Sequence, residues 1–423
     1  MRKITVMLLG GGGRECALAR AFFGSELLHR LYIAPGNAGT AEYGENIGLD
    51  ITDVSEVAVA CRRYSVDLLV VGPEAPLVAG VGDEVRRLCP NTAVFGPGEA
   101  GAALEGSKVY AKRFMVANGI PTADYISVDS GSIDAGLEYI SRSPMPIVIK
   151  ADGLCGGKGS VVATSRKEAE SVLRLMLSGQ FGAASRSVVI EQYLQGRECS
   201  VFVLTDGKDY AMLPVARDYK RAYNGDSGPN TGGMGAVSPV SYVTDAFMRK
   251  VEDRVVKPTL HGLQTSGIDY RGVLYLGLMA VQDDPYLLEY NVRMGDPETS
   301  VVLARTNGDV LSAFFSVANG SAETIDLSEG EGAAVAVVMA AEGYPGTILK
   351  GVKAKIDAAD NEEAYFLAGG ICKDSAGNMA VSAGRAVTAV GIGTDVEQAR
   401  QKAYQVLEKV SFLGAWYRSD IAF

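Results

Sequence analysis

The chain has 423 residues, of which 47% are hydrophobic, 8% aromatic and 21% charged, and this globular composition excludes collagen-like, coiled-coil and disordered classes. Its length exceeds what one hydrophobic core usually supports, so several cooperating domains are expected. A net charge of −10 and a pI near 5.0 argue against a nucleic-acid partner, and an acidic enzyme that handles phosphates must concentrate its cations locally.

In chain order, "ITVMLL" (4–9), "RLYIA" (30–34), "DLLVVG" (67–72) and "AVFG" (93–96) read as short buried strands, with helices over 14–24 and 53–65. This alternation predicts a doubly wound parallel sheet that binds ligands beyond the carboxyl ends of its strands. A second unit, 122–194, holds strand-like "DYISV", "PIVIKA", "GSVVAT" and "SVVIEQYL", with helices over 132–142 and 166–178. A third unit starts at Gly196 and reaches two apolar strands, "GVLYLGLMAV" and "YLLEYNV", then a helix near Pro297–Arg305. From about Gly332 the pattern is short strands ("AVAVVMA", "EAYFLAGGI", "RAVTAVGIG") and an amphipathic helix over 395–409.

No run approaches the roughly 20 apolar residues that span a bilayer, so no membrane partner is expected. The opening apolar run stops at Leu9 and leads into glycines, unlike a secretory signal with its small-residue cleavage site. Six scattered cysteines without a C-x-x-C pair suit reduced thiols in a cytoplasmic protein. Only two histidines, His29 and His261, are available, which disfavours histidine metal sites and a Ser-His-Asp triad. The protease-like "GDSGP" at 225–229 is therefore read as part of a glycine-rich mobile loop.

Four stretches carry chemistry. "LGGGGREC" (9–16) sets four glycines between a strand and a helix, where backbone N–H groups can hold a phosphate. It fits G-x-G-x-x-G poorly and the next strand ends in "APGN", so a small phosphorylated ligand is preferred over a dinucleotide; a ligand-free tight turn is the plain alternative. "PIVIKADGLCGGKGSVV" (146–162) puts Lys150 at a strand end and Lys158 across a glycine flap, which suits a triphosphate better than a surface hairpin with solvated lysines. In "VVIEQYLQGRECS" (188–200), Glu191 and Gln192 can hydrogen-bond an adenine edge and Glu198 ribose hydroxyls, although a simple connector fits equally. "LLEYNVRMGDPETS" (287–300) places Glu289, Asn291 and Arg293 on one strand face. The carboxylate and amide suit Mg²⁺, Arg293 suits a phosphoryl group or carboxylate, and Pro297 is expected at the first helical position. Asp218, Lys220 and Arg221 then enter the glycine-rich loop, read as a lid that closes over anionic substrates.

"APGNAGT" (34–40), "VGPEAPLV" (71–78), "LEGSK" (104–108), "IVIKADGL" (147–154), "GPNTGGMGAVSP" (228–239) and "NVRMGDPET" (291–299) together resemble the glycinamide ribonucleotide synthetase family. These are the phosphoribosylamine–glycine ligases of purine biosynthesis, within the ATP-grasp superfamily, and the likeness runs on to "YRSDI" (417–421). The resemblance implies an α/β and α+β multidomain fold. Its parts are an N-terminal doubly wound domain (1–106), a connecting helix (107–121), an ATP-grasp lid (122–194), a central catalytic subdomain (195–330) and a small C-terminal domain (331–423).

By position, the resemblance implies ATP contacts from Lys108, Lys150, Gly153, Gly156, Gly157, Lys158, Glu191, Gln192, Leu194 and Glu198. It implies Mg²⁺ or Mn²⁺ on Glu289 and Asn291, and catalytic roles for Arg293, Asp218 and Lys220. Glycine and 5-phosphoribosylamine fall to Gly11, Gly12, Gly13, Arg14, Glu15, Asn37, Glu74, Asp218, Gly232, Gly233, Arg293 and Asp296. A monomer or weak homodimer is expected. The implied reaction activates glycine as glycyl phosphate at the expense of ATP and passes the glycyl group to the amine. Cys16 and Tyr219 stand where the family usually has histidine, which keeps open an ATP-grasp ligase for another carboxylate and amine. A nicotinamide-dependent oxidoreductase and a non-catalytic nucleotide-binding regulator are the readings from other classes.

Overall fold

Short apolar runs alternating with helices build an all-parallel sheet at the start of the chain, in a computed structural model that describes residues 2–357 and 361–423. β1 (Ile4–Gly10), β2 (Leu28–Pro35), β3 (Glu45–Asn46), β4 (Leu68–Val71) and β5 (Ala93–Phe95) lie in the order β3-β2-β1-β4-β5. All seven residues of β1 are buried, so apart from Thr5 its sequence is apolar rather than alternating, as in strands covered on both faces. The strand order reverses beside β1, which sets the switch point of the sheet at the Gly10–Gly13 turn.

The two helices expected here are α1 (Gly13–Phe23) and α2 (Val54–Arg63), the latter capped by Asp53, whose carboxylate accepts from the Ser55 and Glu56 N–H groups. Two further short helices, α3 (Glu74–Val78) and α4 (Val81–Leu88), separate β4 from β5, and a left-handed Gly80 between them breaks the period that would have announced them. The connecting helix, expected over 107–121, is α6 (Lys108–Ala117), capped by the Ser107 hydroxyl and preceded by α5 (Glu99–Gly106).

The second unit is a four-stranded antiparallel sheet of β6 (Tyr125–Asp129), β7 (Ile147–Ala151), β8 (Ser160–Ala163) and β9 (Ser187–Gln192), in the order β6-β9-β7-β8. α7 (Ile133–Arg142) and α8 (Arg166–Leu177) cover it, and Ile147, Ile149, Leu173, Val188 and Ile190 form its own core. The third unit is the antiparallel sheet β11-β10-β16-β17, from β10 (Arg197–Thr205), β11 (Tyr210–Met212), β16 (Gly272–Val281) and β17 (Asp284–Asn291).

The segment between β11 and β16 departs from expectation. Instead of a mobile loop, residues 221–230 form an antiparallel hairpin, β13 (Arg221–Tyr223) with β14 (Ser227–Asn230), turned by Gly225 and Asp226 at positive φ. The flanking strands β12 (Arg217–Asp218) and β15 (Gly235–Ser238) belong to a five-stranded sheet with 333–340, 385–393 and 364–368. The sheet therefore crosses the boundary expected at 331; strands of two and four residues carry no alternation long enough to read, and β15 finds its partner about a hundred positions further on. The helix after β17 starts at Glu298, with Pro297 in the capping position rather than the first helical one. Among the described residues, no helix is long and apolar enough to cross a membrane.

Candidate active site

The flap between β7 and β8, the β13–β14 hairpin, the end of β17 and the helix ends around residues 105–112 converge on one cleft of about 1980 Å³. Its walls come from every unit of the chain, from Arg14 near the start to Arg385 and Trp416 near the end.

One side is cationic. Lys150 ends β7, where alternation turns it off the apolar core, and its Nζ donates to Glu191 Oε2 at 3.0 Å and to the Leu288 carbonyl at 3.4 Å. Lys108 opens α6 and donates to the Gly153 carbonyl at 3.3 Å. Lys158 stands on the exposed flap crest beside Gly156 and Gly157 and makes no ion pair among the described residues. Sequence reading missed Lys112, one helical turn after Lys108 and buried at 2% exposure. Its Nζ donates to Thr122 Oγ1 at 2.6 Å and lies 3.3 Å from Glu191 Oε2. Burial pushes this ammonium down to about 8 against the pull of Glu191. Glu191 is thus held by two lysines through one oxygen, while its buried Oε1 has no hydrogen-bond partner among the described residues.

The opposite side gathers carboxylates around Lys220. Its Nζ lies 3.4 Å from Glu198, 3.7 Å from Glu289 and 4.0 Å from Asp218. Burial alone would raise the Glu289 carboxyl, but Lys220, Lys150, Lys108 and Arg293 together hold it down at about 2. Asp218 goes the other way: burial, with Glu298, Glu198 and Glu289 nearby, pushes it up to about 7 despite Lys220. Lys220 itself is raised well above the ordinary lysine range, chiefly by Asp218.

Arg293 lies two residues past the strand end, and a bulge at Leu288 adjusts the register of β17, yet Glu289, Asn291 and Arg293 still face the same cleft. The guanidinium donates to Glu105 Oε1 at 2.8 Å and Asn291 Oδ1 at 3.1 Å, and its Nε lies 3.3 Å from Glu74. Glu105, a second residue missed from sequence, also accepts from the Val292 N–H at 2.8 Å, so it fixes both backbone and side chain of this corner. Burial raises its carboxyl, with Arg293 opposing. A helix of small residues ("EAGAALEG") gives no sign that Glu105 points inward.

The glycine turn after β1 is built differently. Glu15 accepts from the Gly12 N–H at 2.7 Å and from Arg14 Nε at 2.6 Å, closing the turn on itself. Arg14 Nη1 donates to the Met294 carbonyl at 3.1 Å, and Asn37 Nδ2 donates to the carbonyls of Gly11 at 3.0 Å and Ala368 at 2.7 Å. A Cβ on Gly11 would meet the Gly36 carbonyl at 2.6 Å, which explains why only glycine permits the two loops to touch. Gly233, at φ +111°, permits a similar close approach, since a Cβ there would meet Pro297 Cδ at 2.5 Å. Asp296 pairs with Arg385, whose Nη2 lies 3.1 Å away and whose Nη1 donates to the Gly232 carbonyl at 2.6 Å.

Of the expected site residues, Arg14, Glu74, Lys108, Lys150, Gly156, Gly157, Lys158, Glu191, Gln192, Leu194, Glu198, Asp218, Lys220, Gly232, Glu289, Asn291, Arg293 and Asp296 line the cleft. Gly11, Gly12, Gly13, Glu15, Asn37, Gly153 and Gly233 do not line it; they brace the loops behind its wall. Cys16 and Tyr219 are also buried behind the wall, outside the cleft.

A lysine-bearing antiparallel sheet folded over a second antiparallel sheet, with cations on one and carboxylates on the other, defines an ATP-grasp architecture. A biotin carboxylase of Campylobacter jejuni solved with an ATP analogue shares this fold, with a TM-score of 0.74 at 17% identity over 98% of this chain and 93% of that one. The chain belongs to the phosphoribosylglycinamide synthetase family: residues 4–105 match its N domain, 106–299 its ATP-grasp (A) domain and 334–423 its C domain. It is 41% identical over 417 residues to a phosphoribosylamine–glycine ligase of Rhizobium meliloti, covering 98% of this chain and 97% of that protein. A relative of the same name from Neisseria meningitidis is 40% identical over 420 residues, covering 99% and 98%. The crystal structure of a Thermotoga maritima phosphoribosylamine–glycine ligase matches with a TM-score of 0.85 at 36% identity, over 99% of this chain and all of that one.

Proposed function

We propose that this protein joins glycine to 5-phosphoribosylamine at the expense of ATP, releasing glycinamide ribonucleotide, ADP and phosphate, in de novo purine biosynthesis in the cytoplasm. The observation that carries the reading is the cleft itself, where Lys108, Lys150 and Lys158 stand across from Glu289, Asn291 and Arg293. Full-length likeness to ligases of that name supports it.

Lys150 and Lys108 hold the triphosphate from rigid elements, and Lys158 descends with the flap. The unpartnered Glu191 Oε1 accepts from a donor such as the adenine amine, with Gln192 and Leu194 beside it and Glu198 at the ribose. Glu289, ionised at neutral pH, and the carbonyl oxygen of Asn291 fit a hard divalent cation, Mg²⁺ or Mn²⁺. When bound, that ion neutralises charge on the phosphate oxygens.

A glycine carboxylate oxygen attacks the γ-phosphorus, the bond to the β-phosphate oxygen breaks, and ADP leaves. Arg293 is braced by Glu74 and Glu105, and so offers its remaining face to the forming acyl phosphate without reorganising. Lys220 steadies the same charge from the hairpin. The amine of phosphoribosylamine then attacks the acyl carbon, phosphate departs, and the proton lost by nitrogen passes to a base. Asp218, with its pKa near 7, suits that transfer. The turn at Gly11–Arg14, the Asn37 loop, Asp296 and the Gly232–Gly233 backbone shape the amine's side of the cleft.

Cys16 and Tyr219 contribute no side chain to the lining of the cleft. Incubation with ATP, glycine and freshly generated phosphoribosylamine, followed by product mass, tests the reading. Glycinamide ribonucleotide formed in proportion to ADP is the expected result; ADP formation indifferent to both substrates overturns it.

A further inference from the structure

The side chains of Asp218, at the end of β12, and Lys220, just before β13, enter the cleft from an extended stretch whose opposite face has a different occupant. Tyr219, between them, is 6% exposed and packs with Met234, Val337 and Ile421 in the core of the C-terminal sheet. Its hydroxyl accepts from the Ala422 N–H at 3.0 Å. Arg217 and Arg418 lie 4.9 and 5.3 Å from its ring centroid.

Arg418 is the hub of this region. It is buried at 2% exposure, yet all three of its guanidinium nitrogens donate hydrogen bonds. Nε and Nη2 fork onto the two oxygens of Asp420 at 2.7 and 2.8 Å, and Nη1 donates to Asp226 Oδ1 at 2.9 Å and to the Arg221 carbonyl at 3.0 Å. The same stretch grips the hairpin turn twice more. Asn224 Nδ2 donates to Ser419 Oγ at 2.7 Å while Asn224 Oδ1 accepts from the Ser419 N–H, and the Gly225 N–H donates to Asp420 at 2.7 Å. The tail is itself anchored, because Trp416 and Ala340 exchange backbone hydrogen bonds and Tyr404 donates to the Arg418 carbonyl. Residues 416–422 thus tie the hairpin to the C-terminal sheet at both its root and its tip.

We infer that residues 416–422 form a clamp that sets Asp218 and Lys220 for the reaction, with Arg418 as its positioning residue and Tyr219 as the link to the catalytic strand. The inference rests on the ligase reading above. A 1 Å error in such groups costs far more rate than binding, because alignment matters most at the transition state. The clamp touches none of the three lysines on the nucleotide side. Its loss therefore acts first on turnover and on glycine, and reaches ATP only through the pairs that Lys220 makes with Glu198 and Glu289.

The test compares Arg418→Ala, Arg418→Lys, Asp226→Asn and the parent protein for kcat, KM for glycine, ATP affinity by calorimetry, melting temperature, and hydrogen exchange over 219–230. The expected result for Arg418→Ala is at least about a tenfold loss in kcat over KM for glycine, with ATP affinity within roughly twofold and faster exchange in the hairpin. Lysine cannot supply the fork, so Arg418→Lys recovers only part. Asp226 is exposed at the tip, and Asp226→Asn keeps the test alive if Arg418→Ala fails to fold; it gives the same split on a smaller scale. Unchanged kinetics in a folded variant, or losses in ATP affinity and turnover that merely track melting temperature, overturn the inference. If the parent makes no product, the ligase reading fails, whereas unchanged hairpin exchange in the variants rejects the clamp itself.

Discussion

The two glycine-rich turns of this chain look alike as strings and behave as opposites. At Gly10–Gly13, Glu15 ties the Gly12 N–H and Arg14 together, and Asn37 fastens the Gly11 carbonyl, so the turn is finished from within. At Gly153–Gly159 the crest of Gly156, Gly157 and Lys158 is exposed, and Lys158 is without an ion pair among the described residues. The first turn stores its hydrogen-bonding capacity in structure, and the second keeps its capacity for a ligand. Glycine count does not separate them. The acidic residue inside the first turn and the basic one inside the second do.

Four substitutions break or sharpen that contrast. Lys150→Met has the largest effect, since it removes a cation from the strand that supports the open turn: kcat for glycine-dependent ADP release falls by ~10³-fold. Glu15→Gln attacks the closed turn, where a buried charged acceptor loses its hold on Gly12 and Arg14. Urea titration is expected to show a loss of about 2 kcal/mol, with KM for the phosphoribosylamine raised and ATP affinity kept. Lys158→Ala leaves stability within about 0.5 kcal/mol, as for an exposed unpaired side chain, while KM for ATP rises roughly tenfold. Similar destabilisation by Glu15→Gln and Lys158→Ala would erase the distinction between the turns.

The mildest effect is a change of slope at the cleft that both turns serve. The Asp218 carboxyl is raised from 3.8 to about 7 in the folded protein by burial and by Glu298, Glu198 and Glu289, with Lys220 opposing. Between those values the native state binds the extra proton, so this group's stabilising contribution is complete below pH 3.8 and lost as pH rises through 7. In ligand-free melts across that range, Asp218→Asn is expected to lose this decline relative to the parent. Parallel curves for the two proteins would refute the raised pKa.

Much of the fold was legible because local signals were strong. β1 is apolar but for Thr5 and ends in glycines, and the β7–β8 hairpin carries its lysine at a strand end, so both elements lie within a residue or two of where the sequence puts them. The cleft was legible at Glu289, Asn291 and Arg293 for the same reason, since the bulge at Leu288 falls before this run and leaves its period-two spacing intact. What escaped depends on distance along the chain. Glu105 shows its role only through Val292 and Arg293, 187 and 188 residues away, and Lys112 only through Glu191 on another unit. The stretch 221–230 reads as a mobile lid because its glycines are visible in sequence, whereas its grip by Arg418 shows only in the fold.

The pairing of 235–238 with 333–340 carries a consequence for how the chain reaches its native state. A nascent chain extruded as far as residue 330 has the parallel sheet and the nucleotide flap ready to form, while Gly235–Ser238 still lacks the neighbour it needs on that side. Closing so long a loop is entropically slow, so nucleotide capture is expected to mature before turnover does.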